Sequence, residues 1–176
     1  AITNNEINAL GHTYIYAIQM CGENFTISAN NITSESDIYY ANGIDIEGPA
    51  SGVVTDNGII AKAPVSAYVV YSGMNGQNAS VNYTGNDLVG EAYNAFGMSL
   101  GDVESNVVGN DIVLAGNYTT GIAYRGSKLT IDNTLISANG TNVGNESIWE
   151  GFGVQTVGVK VIMGEATIAN NNIKTT

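Results

Sequence analysis

The chain has 176 residues, 44% hydrophobic and only 12% charged, about half the usual charged share, with 22 glycines and 23 asparagines in place of the missing charge. Sixteen acidic against five basic residues give a net charge of -11, which argues against a nucleic-acid or anionic-membrane partner. The apolar content is that of one globular β domain rather than a disordered chain, and no apolar run approaches the 18 or so residues of a membrane span.

Two kinds of short strand alternate along the chain. In order they read "AITNNEI", "YAIQM", "TISANNI", "NGIDIEG", "VVTDNGI", "AYVVYSG", "NYTGNDL", "NAFGMSLG", "VVGNDI", "TTGIAYRG", "TIDNTLI", "VGVKVIMG" and "ATIANNNI". The first kind carries Asn-x-Ile/Leu, with its Asn at Asn5, Asn30, Asn57, Asn86, Asn110, Asn133 and Asn171, at gaps of 25, 27, 29, 24, 23 and 38. The second kind is marked by Ile18, Ile44, Val69, Phe96, Ile122 and Val159, and usually closes on glycine at Gly22, Gly48, Gly101, Gly126 or Gly164.

Periods of this length mean stacked units, either leucine-rich repeats or a parallel β-helix. Whole units here contain one leucine or none, and alternating Ile, Val, Thr and Tyr broken by Gly and Asn favour strands and turns throughout. The expected fold is all-β: one right-handed parallel β-helix domain over 1–176, of about six to seven coils. Handedness rests on the general preference of parallel crossovers. Stacked about 4.8 Å apart, equivalent residues form ladders up the column. The aliphatic residues before and after each Asn cannot both face inward on a straight strand, so the chain must bend between them. Asn tolerates the left-handed backbone, and its amide can bond to the Asn above and below, so it is read as a turn-and-ladder residue. The chain opens inside one repeat at Ile2 and ends inside another at Ile173, which reads as an internal piece of a longer protein.

Candidate functional residues are sparse. Seven Asn-x-Ser/Thr sequons, at Asn24, Asn31, Asn78, Asn82, Asn117, Asn139 and Asn145, are candidate glycosylation sites. Asp87 and Asp111 each follow a ruler Asn and would stack, favouring a cation such as calcium or a raised pKa. Glu6 has the same phase farther off, and Asp56 and Asp132 precede their rulers on another ladder. His12, the lone histidine, reads as solvated, and Cys21, the lone cysteine, as a small buried residue. The gap of 38 places about 14 extra residues between two recurrent strands, a loop insertion at about 138–152. It holds the only tryptophan, Trp149, flanked by Glu146 and Glu150, the candidate ligand-binding residues. Tyr14, Tyr16, Tyr39, Tyr40, Tyr68, Tyr71, Tyr93 and Tyr118 supply an aromatic surface, with several expected in the core. No residue set specifies catalysis, metal or cofactor binding.

The units "TISANNITSES", "ANGIDIEGPASG", "TTGIAYRGSKLTIDNTLISANG" and "GFGVQTVGVKVIMGEATIANNNI" resemble the repeat region of adhesin-like surface proteins of methanogenic archaea. The resemblance covers essentially the whole chain. It implies an exported, extracellular protein of the cell surface with right-handed parallel β-helices, mediating attachment, and it transfers no defined binding residue. Three functions follow as expectations. The first is a non-catalytic adhesin segment binding a glycan or protein of another cell. The second is a rigid spacer without a ligand, and the third a polysaccharide lyase or glycoside hydrolase. Unpaired strand edges at the two ends predict some end-to-end self-association.

Overall fold

The computed structural model describes residues 1–72, 80–141, 148–149, 152–153 and 156–176. About 81% of the chain is strand, no described residue is helical, and the parallel strands wind into a β-solenoid of about five turns. That is slightly fewer than the six to seven expected. The Asn-bearing strand does recur seven times, but its terminal copies bound incomplete turns.

Each turn visits three faces. Face A holds the Asn-led strands, stacked in the order Glu6, Asn31, Gly58, Asp87, Asp111, Leu135 and Asn172. Face B stacks residues 14–21 on 40–47, 66–72, 94–100, 118–124 and then the strand from Val157. Face C stacks Ile2 under Ile27, Val54, Tyr83, Val107, Ile131 and Ile168. Two aliphatic columns thus flank the corner between C and A. Ile27, Val54, Val107 and Ile131 on one side and Ile32, Ile59, Leu88, Ile112 and Ile136 on the other are all at most 1% exposed. The bend inferred from the sequence is what lets both point inward.

The bend and the ladder belong to adjacent residues, not to one. Positive φ falls on Asn4, Ala29, Asp56, Gly85, Gly109, Asn133 and Asn170, the residue before each ladder position. The ladder itself is Asn5, Asn30, Asn57, Asn86, Asn110, Thr134 and Asn171. Asn133 is therefore not a rung: it makes the turn at φ 48°, and Thr134 stands in the ladder. Asp56 and Asp132 do not share a ladder for the same reason, since Asp56 is at the turn while Asp132 pairs with Val108 one position earlier.

In the ladder interior every amide group has work. Asn57 Oδ1 accepts from Asn30 N–H at 3.0 Å and Asn30 Nδ2 at 2.9 Å, while Asn57 Nδ2 donates to Asn86 Oδ1 at 2.9 Å and to Ile27 O at 3.0 Å. Asn86 repeats the pattern onto Asn110. Buried amides are tolerated only when paired in this way. Threonine has a single side-chain oxygen, so Thr134 accepts only the Asn110 N–H, at 3.4 Å, while its hydroxyl donates to Asp132 O at 3.1 Å and Val107 O at 3.4 Å.

The markers of the second strand also shift. Ile18, Ile44, Val70, Met98, Ile122 and Val159 share a row, so Val70 and Met98 replace Val69 and Phe96. Beside this row Gly43, Gly97, Gly121 and Gly158 face the inward Ile of face A. A Cβ on them would clash with the Cγ2 of Ile59, Ile112, Ile136 and Ile173 respectively. Glycine is required there because the two sheets approach that closely. Where this row carries Val69, the opposite wall carries Gly90, whose Cβ would meet Val69 Cγ2 at 3.1 Å and Leu114 Cδ2 at 2.7 Å.

Candidate aromatic binding face

Face B gathers the aromatic side chains. Tyr14, Tyr16, Tyr39, Tyr40, Tyr68, Tyr71, Tyr93, Phe96 and Tyr118 lie on it or at its leading corner, and among the residues whose side chains are described every aromatic outside the core is there. None of the eight tyrosines expected to divide between surface and core is buried. The core tyrosines are Tyr83 and Tyr124, both 0% exposed. Tyr83 sits in an inward row otherwise held by aliphatics, and Tyr124 in one shared with Met20, Ile46, Ser72 and Leu100, placements that composition alone does not signal.

The rings form a continuous strip up the column. Centroids are 5.9 Å apart for Tyr14–Tyr40 and Tyr16–Tyr40, 5.3 Å for Tyr40–Tyr68 and 4.6 Å for the parallel stack of Tyr68 on Phe96. Tyr39 and Tyr71 meet it edge-on. Higher up, Tyr93 and Tyr118 make a second pair at 5.5 Å. Tyr118 belongs to the same row as Tyr14 and Tyr40, with Ser66 and Asn94 between. The strip arises because outward positions of stacked strands repeat one above another, which places like side chains in contact.

Polar groups are interleaved with the rings. Asn42 is 0% exposed with neither side-chain atom hydrogen-bonded, and Asp45 Oδ1 and Asn94 Oδ1 are likewise buried without a partner. Gln19 Nε2 donates to Asp45 Oδ2 at 3.2 Å and to Glu47 Oε1 at 3.3 Å, tying two carboxylates of one strand. Burial, then the Glu47 charge, pushes the Asp45 carboxyl up to about 6, against the opposing bond from Gln19. Burial and these two acids also raise the Tyr16 phenol, and burial beside Tyr68 raises Tyr40. Asn42 and the Asp45 carboxylate are buried beneath the rings, so the groups a ligand can reach are the rings and the exposed Gln19 amide and Glu47 carboxylate at their edge, which suit a ligand that offers an apolar face and hydroxyl or ammonium donors.

Beside the upper pair, Pro64, Glu91, Tyr93, Asn117 and Thr141 line an open groove of about 480 Å³ at the corner between faces A and B. The long insertion leaves the column at this corner, between Leu135–Gly140 and the strand beginning at Val157, and contains the antiparallel pair Ile148–Trp149 and Phe152–Gly153. Glu146, Glu150 and the Trp149 side chain lie outside the described residues, as do the sequons Asn78 and Asn145.

The remaining sequence candidates scatter. Asp87 and Asp111 are register partners on face A; Asp111 Oδ1 has no hydrogen-bond partner, and no group of three or more potential ligands for a metal occurs among the described residues. His12 is exposed, with Nδ1 2.9 Å from Asp37. Cys21 is exposed rather than buried, because it points outward just before the Gly22 corner. Asn24, Asn31, Asn82 and Asn139 are exposed on faces A and C or at a corner, and Asn117 is half-buried at the groove. None of the four exposed sequons is on face B.

One polar cluster was not foreseen. Asp102, 0% exposed, accepts from Ser72 Oγ at 2.6 Å, Ser105 Oγ at 2.7 Å and Tyr83 Oη at 3.0 Å inside the column. Burial raises its pKa while the three hydroxyls partly restrain the rise. Sealed from solvent, it fixes the 101–105 corner rather than meeting a substrate.

No family model, no curated protein and no solved structure matches this chain.

Proposed function

We propose that the chain is a non-catalytic segment of an extracellular cell-surface adhesin whose aromatic face binds a glycan of another cell or surface. The observation that carries this reading is the segregation of the non-buried aromatics, among the residues whose side chains are described, to one face, with the exposed Gln19 and Glu47 at its edge. Sugar rings stack their C–H faces on aromatic side chains, and their hydroxyls donate to carboxylate and amide oxygens. Sequons on the other faces agree with it, since sugars attached there leave face B bare. The resemblance to archaeal adhesin-like repeats points the same way.

Calorimetric titration with a panel of neutral and acidic surface glycans, with and without calcium, tests the proposal. Tyr68→Ala should weaken binding about tenfold or more, because Tyr68 touches Tyr40, Tyr71 and Phe96. Unchanged affinity would refute it. Release of unsaturated uronides or reducing sugar from the panel would instead favour the lyase or hydrolase reading. A rigid spacer is the second reading, favoured by the buried asparagine ladder, and absence of binding across the panel would select it.

A further inference from the structure

Beside the tyrosine strip, face B holds two carboxylates without a counter-charge. Asp45 and Glu47 lie two residues apart on one strand and so share a side of it. Gln19 Nε2 donates to both, at 3.2 Å to Asp45 Oδ2 and 3.3 Å to Glu47 Oε1, which shows that one nitrogen can span the pair. Asp45 is 2% exposed, and its other oxygen, Oδ1, has no hydrogen-bond partner. Three residues earlier the Asn42 amide, 0% exposed and in register between Tyr16 and Tyr68, is unpartnered as well. Orphaned groups of this kind are rare in folded chains, and a buried carboxylate is normally paired with a cation.

No side-chain cation stands near among the described residues. Lys62 is on face A, 3.5 Å from Glu91, and His12 is 2.9 Å from Asp37 at the corner before face B. Lys160 shares the row of Asp45 but follows it by four coils, through Tyr71, Ser99 and Ala123. At about 4.8 Å per coil that is about 19 Å, beyond the roughly 8–10 Å over which charges act in physiological salt. Arg125 and Lys128 belong to the coil of Ala123, and Lys174 to face A. The Glu47 charge accordingly stands second to burial among the causes that raise the Asp45 pKa. Gln19 is exposed, so its side chain can swing aside and open Asp45 Oδ2, but as a neutral amide it cancels neither charge. An ammonium brings three donors and a full positive charge. Tyr16 borders the pair, since both acids add to the burial that raises its phenol, and an aromatic ring attracts a cation.

We infer that the ligand of face B is a glycan with free amino groups, one of whose ammonium groups takes the place of Gln19 Nε2 between Asp45 and Glu47. This rests on the reading of face B as a glycan-binding surface. Acidic sugars are disfavoured by like charge, and N-acetylated sugars offer only a neutral amide, as Gln19 already does. A polyamine or a lysine side chain carries the same ammonium but no sugar ring for the adjoining strip of Tyr40 and Tyr68.

Calorimetry with glucosamine, N-acetylglucosamine and glucose oligomers of equal length, and with spermidine, tests this in weakly acidic buffer where the free amines are charged. The glucosamine oligomer should bind at least about tenfold more tightly than the other two sugars, as a charge-assisted hydrogen bond gives, and added salt should narrow the gap. Glu47→Gln should close most of the gap with little effect on the glucose oligomer. Gln19→Lys, which supplies a resident ammonium, should do the same, and circular dichroism checks the folding of both variants. Equal affinity for the three oligomers overturns the inference and leaves the glycan reading standing, whereas binding of no sugar removes both. A gap that survives both substitutions places the ammonium elsewhere and also overturns it. So does spermidine binding as tight as that of the glucosamine oligomer and insensitive to Tyr68→Ala, because the site would then read the ammonium without the sugar.

Discussion

Replacing Asn86 tests whether the ladder holds the column together. Its Oδ1 accepts from Asn57 N–H at 3.1 Å and Asn57 Nδ2 at 2.9 Å, and its Nδ2 donates to Asn110 Oδ1 and Val54 O, both at 2.9 Å. Asn86→Ala removes all four bonds. The backbone N–H of Asn57, a residue 1% exposed, then has no acceptor, while Asn57 Nδ2 keeps Ile27 O and Thr55 O. At about 1–3 kcal/mol for the buried unsatisfied donor and about 0.5–1.5 kcal/mol for each of the other three lost bonds, the loss should be about 3–7 kcal/mol. Against a whole-domain stability of about 5–15 kcal/mol this is a large fraction. Asn86→Thr should cost about half as much, because its hydroxyl can accept the backbone N–H as Thr134 accepts that of Asn110. Urea unfolding followed by circular dichroism measures both. A cost for alanine below about 1 kcal/mol, or equal costs for alanine and threonine, would refute the reasoning.

Gly90→Ala should cost about 1–3 kcal/mol, since its Cβ would meet Leu114 and Val69, and Val69→Ala should recover part of that loss in a double-mutant cycle. Because burial raises the Asp45 pKa to about 6, the fold favours its neutral form. Its contribution is present below the unfolded value near 4 and is lost as pH rises through 6; Asp45→Asn should flatten stability over that window, and an unchanged pH profile would count against it. The Cys21 thiol should react fully with a thiol reagent in the native protein, whereas reaction only after unfolding would contradict its exposure.

The stacked architecture was legible because a solenoid writes its period into the sequence: each coil must present an inward aliphatic and a corner residue at the same station. The ladder was legible at six of its seven rungs. It slipped at "DNTLI", where Asn133 and Leu135 mimic Asn-x-Leu, although the rung is Thr134 and the inward residue Ile136. A one-residue shift cannot be seen from spacing when Leu and Ile are neighbours. Likewise Val69 and Val70 are alike in composition, and only the glycine row beside them tells which faces inward. The aromatic face was legible as a list of tyrosines but not as a surface. Tyr83 and Tyr124 differ from the other eight by their phase on the strand, and the register that sets phase comes from coils of unequal length. Asp102 gave no signal at all, since its partners Ser72 and Tyr83 come from another coil.

Fluorine NMR of the protein labelled with 3-fluorotyrosine, titrated with the glycan panel, tests the binding face most directly. The ten tyrosines carry their own control, because Tyr83 and Tyr124 are sealed in the core. Saturable shifts are expected at Tyr14, Tyr16, Tyr40 and Tyr68 with the two core resonances unmoved. Shifts at none of the face tyrosines while binding is seen by calorimetry would contradict it.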